Sequence, residues 1–273
     1  LVENFKMKFC IVVPWFNPQQ RDKFLAAWGI VGAIPDWLFL EQDPNKSGCG
    51  ATKNRGIKRS MDAGAEVTIV LDDDVYCYPS DLDPCLSLED LAERHIEALQ
   101  PQELPVFEVT TNPPARGVPY FNRTIKVPVA ASVGWWTNIP DRDAARQLIE
   151  GANSPMEYQR RVIYGRPTML CGMNIAFRAH EWWPWCSFLP VSRMDDVFMS
   201  WLWCKEAARR NHCFNLNGPT VMHSRQSNVF SSLIDEAKWL EKNETLWSDI
   251  WMHPASDYDT LRRLVPVPFD GTP

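Results

Sequence analysis

Apolar runs too short for helices alternate with longer amphipathic stretches at the start of this chain. Phe9-Cys-Ile-Val-Val13 has the pattern of a buried strand, ended by Pro14. Arg21 to Trp28 has helical spacing, and Trp37-Leu-Phe-Leu40 is a second strand that runs into Glu41-Gln-Asp43-Pro. A loop punctuated by Gly48-Cys-Gly50 leads into a helix over 51–63 with basic residues at 53, 55, 58 and 59. Val67 to Leu71 is a third, β-branched strand. Strand–helix–strand alternation predicts a parallel, doubly wound sheet over these residues.

Farther along, apolar positions at 88, 91, 96 and 99 predict a helix over 88–99, ended by Gln100-Pro101. Strands are expected at 104–111 and 169–177, helices at 141–150, 195–210 and 231–246, and a strand end at Val221-Met-His223. Residues 112–140 read as loops and strands, 151–168 as a surface segment, and the residues from Pro254 as a tail. The expectation is one α/β domain over 1–253, with a nucleotide-binding half at about 9–80 and an acceptor or sugar half at about 104–230. A C-terminal tail would occupy 254–273.

Composition narrows the class. A chain of 273 residues with 45% hydrophobic content can bury a sizeable core. Thirteen tryptophans suggest aromatic side chains lining a cleft as well as filling the core. The net charge of −6 excludes a generally basic nucleic-acid coat. Residues 115–178 nevertheless hold nine Lys/Arg against four Asp/Glu, a local excess that suits an anionic ligand or arises from arginines paired with nearby acids. The eight cysteines form no C-x-x-C pair and are expected as reduced thiols of a cytoplasmic protein, without a zinc site. Leu1 to Lys8 does not read as a signal peptide, and no apolar stretch reaches the ~20 residues of a membrane span. The sequons at Asn122 and Asn243 are therefore expected to be coincidental.

Three consecutive acids, Asp72-Asp73-Asp74, close the third strand, at the sheet end where open α/β folds bind ligands. Carboxylates this close repel unless a cation sits among them. In extended chain Asp72 and Asp74 share a face and Asp73 points away. Hard oxygens at that spacing suit Mg²⁺ or Mn²⁺ carrying a diphosphate, the logic of a D-x-D nucleotide-sugar site. A solvated acidic turn is the plain alternative.

Four further places fit the same chemistry. Pro14 and Asp43, at the ends of the first two strands, are candidates for the nucleotide base and ribose. Lys53 and Arg55, near a helix N-terminus, are candidates for phosphate oxygens, or belong to a solvated basic face. Asp195 and Asp196 open an aromatic helix, where the dipole alone favours acids, and are candidates for taking a proton or steadying an oxocarbenium-like centre. His223 could complete a metal shell, and the loop with Arg225 could cover the diphosphate, although a histidine at a strand end is more often structural.

Several strings taken together resemble the reversibly glycosylated polypeptides, the UDP-arabinopyranose mutase family. They are Ile69-Val-Leu-Asp-Asp-Asp74, Ser132-Val-Gly-Trp-Trp-Thr-Asn-Ile-Pro-Asp-Arg-Asp143, Cys171-Gly-Met-Asn-Ile-Ala-Phe177, Arg193-Met-Asp-Asp196 and His223-Ser-Arg-Gln-Ser-Asn228. The resemblance implies a glycosyltransferase A-type fold with a mostly parallel, Rossmann-like central sheet flanked by helices. It also implies UDP-sugar binding with Mn²⁺ or Mg²⁺. It assigns Asp72 and Asp74 to metal and diphosphate, with Asp73 beside them, Asp195 and Asp196 to the sugar, and His223 to the metal. Arg116-Gly-Val-Pro119 matches the context of an arginine that the family glycosylates in the protein itself, and Arg123 follows it. Related mutases associate, so a homo-oligomer is a candidate state.

The leading expectation is transfer of a sugar from a UDP-sugar to an acceptor hydroxyl, with a hydroxymethylated base in phage DNA or a polypeptide as candidate acceptors. The basic segment and the tryptophans would face the DNA. The runner-up is a UDP-sugar mutase or self-glycosylating protein that leans on Arg116. A non-catalytic UDP-sugar-binding scaffold and a metal-dependent nuclease or phosphatase are the other readings.

Overall fold

A computed structural model describes residues 7–44, 49–79, 85–105, 124–151, 159–189, 194–224, 228–253 and 258–263. The first strand, β1 (Phe9–Trp15), lies between β2 (Leu38–Gln42) and β3 (Val67–Leu71) and is parallel to both. Pro14 does not end β1. Ile11 and Trp15 bond toward β2, so the backbone of Pro14 faces β3, whose pairing has already stopped at Val12↔Val70. Its missing N–H therefore leaves no ladder bond unmade.

The helix α1 (Pro18–Ala27) starts earlier than its spacing suggests, because the Asn17 side chain caps it and Pro18 opens it. Alternate residues of β1 enter opposite cores. Phe9, Ile11 and Val13 pack with α1 and with α3 (Leu88–Ala98). Cys10 and Val12 pack with α2 (Cys49–Asp62) and the later helices. Gly56 lets α2 sit directly on β1, since a Cβ there would lie 2.2 Å from Val12 Cγ1.

The full sheet has the order β2-β1-β3-β10-β7-β11-β9, adding β10 (Asn174–Phe177), β7 (Val129–Val133), β11 (Cys213–Asn215) and β9 (Val162–Tyr164). Strands β1, β2, β3, β7 and β11 run one way and β10 and β9 the other, so the central sheet is mostly parallel and the fold α/β, as expected. A second sheet, of order β4-β12-β8, joins β4 (Val75–Tyr76), β12 (Thr220–His223) and β8 (Trp135–Asn138). A hairpin of β5 (Gln102–Pro105) and β6 (Thr124–Val127) holds the beginning of the strand expected at 104–111, whose remaining residues lie outside the described set.

Several boundaries moved for physical reasons. The strand expected over 169–177 is confined to β10, because the backbone before it bonds to side chains instead: Leu170 N–H donates to Ser200 Oγ and Gly172 N–H to Asp196 Oδ2. The helix expected from 141 begins as α4 (Ala144–Glu150), with Asp143 as its cap. The expected surface segment holds β9, and the expected tail holds α8 (Tyr258–Arg263), whose Leu261 is buried. Among the described residues no helix is long and apolar enough to cross a membrane.

Five of the thirteen tryptophans are buried and eight are half-buried. Trp182, the last residue of the short α5 (Ala179–Trp182), and Trp203, on α6 (Asp195–Arg209), are wholly buried and pack on each other, and Trp203 also packs edge-on with Phe177. Trp201, Trp247 and Trp251 stack in the seam between α6 and α7 (Val229–Met252), with Trp201 Nε1 donating to Asn243 Oδ1. The aromatic face of α6 is thus covered by α7.

His95 carries a buried polar link through the centre. Asn174 Nδ2 donates to Pro219 O, so its Oδ1 must accept from His95 Nε2 (2.8 Å), and His95 Nδ1 accepts from Ser132 Oγ (2.8 Å). Burial depresses the imidazole pKa to about 4, against the partial support of Asn174. Between pH 6.5 and about 4 the unfolded chain takes up a proton that the folded one refuses, so stability falls as pH falls through that window. The contribution is roughly 3 kcal/mol. Denaturant titrations across the window should show this extra acid loss in the wild type and its absence in His95→Gln.

Candidate active site

The ends of β1, β2 and β3, the first turns of α2 and α6, and the loop before β10 meet at one edge of the sheet, because each crossover helix starts where its preceding strand stops. Lys53 is the centre of this edge. Its side chain is buried, and Nζ lies 2.8 Å from Asp72 Oδ1 and 3.0 Å from Gly172 O, with the ring of Phe188 4.8 Å away. Burial alone would lower the lysine pKa, but Asp72, Cys49 and Asp195 outweigh it and raise the group well above its usual value. Lys53 is therefore charged in the folded protein.

Gly172 explains part of the Cys-Gly-Met-Asn string. Its carbonyl accepts from Lys53 and its N–H donates to Asp196 Oδ2 (3.1 Å), so the backbone of one residue bridges the cation and an acid. A Cβ there would lie 2.4 Å from Phe188 Cε1 and 3.1 Å from Lys53 Nζ. In the same string Met173 O accepts from Asp72 N–H (3.2 Å), and Asn174 serves His95. Asn54 clamps the Phe188 backbone, accepting from its N–H (2.8 Å) and donating to its carbonyl (2.7 Å), which fixes α2 against the approach to α6. Gly50 lets the two helix starts touch: a Cβ there would lie 2.7 Å from Leu189 O and 3.1 Å from Asp195 Oδ2.

Asp195 and Asp196 face Lys53 and Asp72. Burial, opposed by Lys53 and aided by Asp196 and Asp72, pushes the Asp195 carboxyl up to about 7. Asp196 is also raised, by burial against the pull of Lys53. Asp195 Oδ2 is buried without a hydrogen-bond partner among the described residues.

The second sheet brings His223 to the other side of the acids. Pairing of β12 with β4 sets His223 opposite Val75, next to Asp74, and His223 Nε2 lies 3.6 Å from Asp74 Oδ2. Ile139 O can only accept, so His223 Nδ1, 2.8 Å away, carries a proton. In a neutral ring the Nε2 lone pair would then face a carboxylate, so the geometry calls for a proton or a metal cation between them. Burial disfavours the charged ring, yet Asp74 and then Ile139 O raise its pKa above the usual value.

Asp141, from the Asn-Ile-Pro-Asp string, is a site residue that the sequence reading did not single out. It keeps an open face at the mouth of this crevice, and surrounding protein pushes its carboxyl up to about 6, against His223 and with Asp196, Asp72 and Asp74.

The other expected residues fall as follows. Among the described residues no three His, Cys, Asp or Glu side chains stand together as a metal-binding group: Asp72 is turned to Lys53 while Asp74 faces His223. Asp73 is buried, and its carbonyl accepts from Gln20 Nε2. Pro14 and Asp43 are buried at the ends of β1 and β2, where Asp43 N–H donates to Trp15 O (2.7 Å). The Arg55 side chain bonds Glu41 and Gln42 O at the end of β2. Arg116, Arg123 and Arg225 lie outside the described residues. All eight cysteines are thiols, and Cys49 Sγ lies 4.0 Å from Asp72 Oδ1.

A model of the reversibly glycosylated polypeptide family matches residues 65–252. Among similar curated proteins, the probable UDP-arabinopyranose mutase 1 of Pisum sativum is 31% identical over 173 residues, covering 55% of this chain and 46% of that protein. UDP-arabinopyranose mutases 1 and 2 of Arabidopsis thaliana are each 30% identical, over 184 and 191 residues, covering 62% and 63% of this chain and 50% and 52% of those proteins. The chain spans about half the length of the curated relatives it matches.

The raised Asp195 pKa has a measurable consequence. A carboxyl that ionises near pH 7 when folded and near 3.8 when unfolded contributes stability at low pH that is lost as pH rises through that interval. Asp195→Asn should raise the unfolding free energy at pH 8 by about 1–3 kcal/mol and leave it unchanged at pH 4. Paired denaturation curves at the two pH values read this directly.

Proposed function

We propose that this chain, which belongs to the reversibly glycosylated polypeptide family, acts on a UDP-sugar as a mutase. The observation that carries the reading is the meeting, at one sheet edge, of the Lys53–Asp72 pair, the Asp74–His223 pair and the acids Asp195 and Asp196. All of these except Lys53 fall within the stretch that matches the family. The excess of acids over bases here repels a bare diphosphate, so we propose that UDP-sugar enters with Mn²⁺ or Mg²⁺.

Asp74 and His223 suit such a cation: a hard oxygen and an imidazole nitrogen already face one another, and the remaining ligands would be diphosphate and water oxygens. The bound cation would offset the charge of the departing UDP. Lys53 keeps Asp72 in place and neutralised. Pro14 and Asp43 border the region for the base and ribose, and Arg225 is our candidate for covering the diphosphate.

Ring-size change at the anomeric carbon requires the C1–O bond to UDP to break and later re-form, because a glycosyl phosphate holds its ring closed. Asp195 and Asp196 would face that carbon, with the raised pKa of Asp195 suited to holding or releasing a proton near neutral pH. Arg116 is proposed as the residue on which a mutase or self-glycosylating protein leans. Transfer to a separate hydroxyl, a hydroxymethylated DNA base included, would use the same donor site. Ring isomerisation comes first because the similar proteins are UDP-arabinopyranose mutases.

The test is to incubate the protein with UDP-arabinopyranose and other UDP-sugars, with Mn²⁺ or with chelator, and resolve products by anion-exchange chromatography and NMR. The expected product is a ring-isomerised UDP-sugar without net UDP, reduced on the order of a hundredfold in Asp74→Asn. Sugar carried onto hydroxymethylcytosine DNA would favour the transferase. Folded protein that neither binds nor alters any UDP-sugar would overturn both.

A further inference from the structure

A second cavity, of about 650 Å³, lies between α3 and the loop joining β11 to β12, and shares no residue with the acidic site. Its volume is within the roughly 300–1,000 Å³ of small-molecule sites. One wall is the face of α3 that carries Asp90, Glu93, Arg94 and Glu97, spaced to share one side of the helix. Arg160 and the Asn215–Pro219 loop form the opposite side.

The walls are fixed before anything binds. Asn215 Nδ2 donates to Ala98 O (2.8 Å), and Asn215 Oδ1 accepts from both the N–H (3.1 Å) and Nδ2 (2.7 Å) of Asn217. Gly218 N–H donates to Val133 O (3.1 Å), and a Cβ on that glycine would be 2.7 Å from the same oxygen. Arg160 Nη2 donates to Thr220 Oγ1 (2.7 Å). A ligand entering here would order little protein.

The lining selects by chemistry. Among the described lining residues, three acids against two arginines leave no positive surplus for a phosphate and too little negative charge for a bare cation. Among the described lining residues there is no aromatic side chain to stack a base and no large aliphatic one to hold a lipid tail. What remains is a set of planar groups, carboxylates, guanidinium and amides, that donate and accept in pairs. We propose that this cavity is a second binding site for a neutral polyhydroxylated ligand, a short carbohydrate chain. From Thr220, at its edge, β12 reaches His223 in three residues, about 10 Å, so a bound chain would lie within reach of the first site. The assignment stands whether or not the first site handles UDP-sugars.

The test is saturation-transfer NMR on the full chain with neutral trisaccharides of glucose, galactose and arabinose, and with inorganic phosphate and uridine as contrasting probes. Asn217→Ala and Glu97→Ala change exposed lining residues, and thermal melting checks that both variants fold. The expected result is saturable binding of at least one trisaccharide, weakened roughly tenfold in each variant and not displaced by UDP with Mn²⁺. Four results would each overturn the proposal. They are no trisaccharide binding, binding indifferent to both variants, displacement by UDP, and uridine or phosphate binding that is lost in the two variants.

Discussion

The buried ammonium of Lys53 is the interaction on which the site depends. It joins the end of β3 through Asp72, the loop before β10 through Gly172 O, and by its charge the start of α6 through Asp195. Five aspartates face this edge (72, 74, 141, 195 and 196), and without a buried cation their mutual repulsion and desolvation would oppose folding. Gly56, Gly50 and Gly172 are small because Val12, the Leu189 carbonyl, and Phe188 with Lys53 respectively pass close to them, and Asn54 clamps the helix that carries the lysine. The arrangement holds carboxyls at raised pKa, a state that reduces stability and suits proton handling or cation capture.

Much of the central architecture was legible in the chain. Short β-branched runs and amphipathic stretches gave the three parallel strands and their helices, since a strand buried on both faces must be apolar throughout. The three aspartates read as a site because no core position accommodates such a run. Less legible were features set by partners far away in sequence. The Gly172 segment looked like strand by hydropathy, but Ser200 and Asp196 supply its hydrogen bonds from another element. Lys53 read as a phosphate ligand from its place near a helix start, while the fold first gives it Asp72. Asp141 lay inside a quoted string, yet only the pairing of β12 with β8 and β4 reveals that the turn carrying it borders His223. Composition alone did not single out Trp201, Trp247 and Trp251 as the ones that meet in the seam between α6 and α7.

The site divides into two charge systems with different tasks. One is closed: Lys53 pairs with Asp72, and the Gly172 backbone links Lys53 to Asp196 within the protein. The other is open: Asp74 and His223 are oriented by backbone contacts, and their facing atoms need a proton or a metal cation between them. Under the proposed function the closed system positions the open one, and a cation-borne diphosphate completes it. The relatives' names bring UDP-arabinopyranose into view, and the open pair gives a physical reason why a nucleotide-sugar diphosphate with its cation would settle at this edge.

The most direct measurement is calorimetric titration of UDP with Mn²⁺ into wild type and Lys53→Met, paired with denaturant unfolding of both. If Lys53 organises the site, the variant loses about 3 kcal/mol or more of stability and binds UDP at least roughly tenfold more weakly. A variant as stable as wild type, with the same affinity, would contradict the account: the acids would then be held by something other than the buried ammonium.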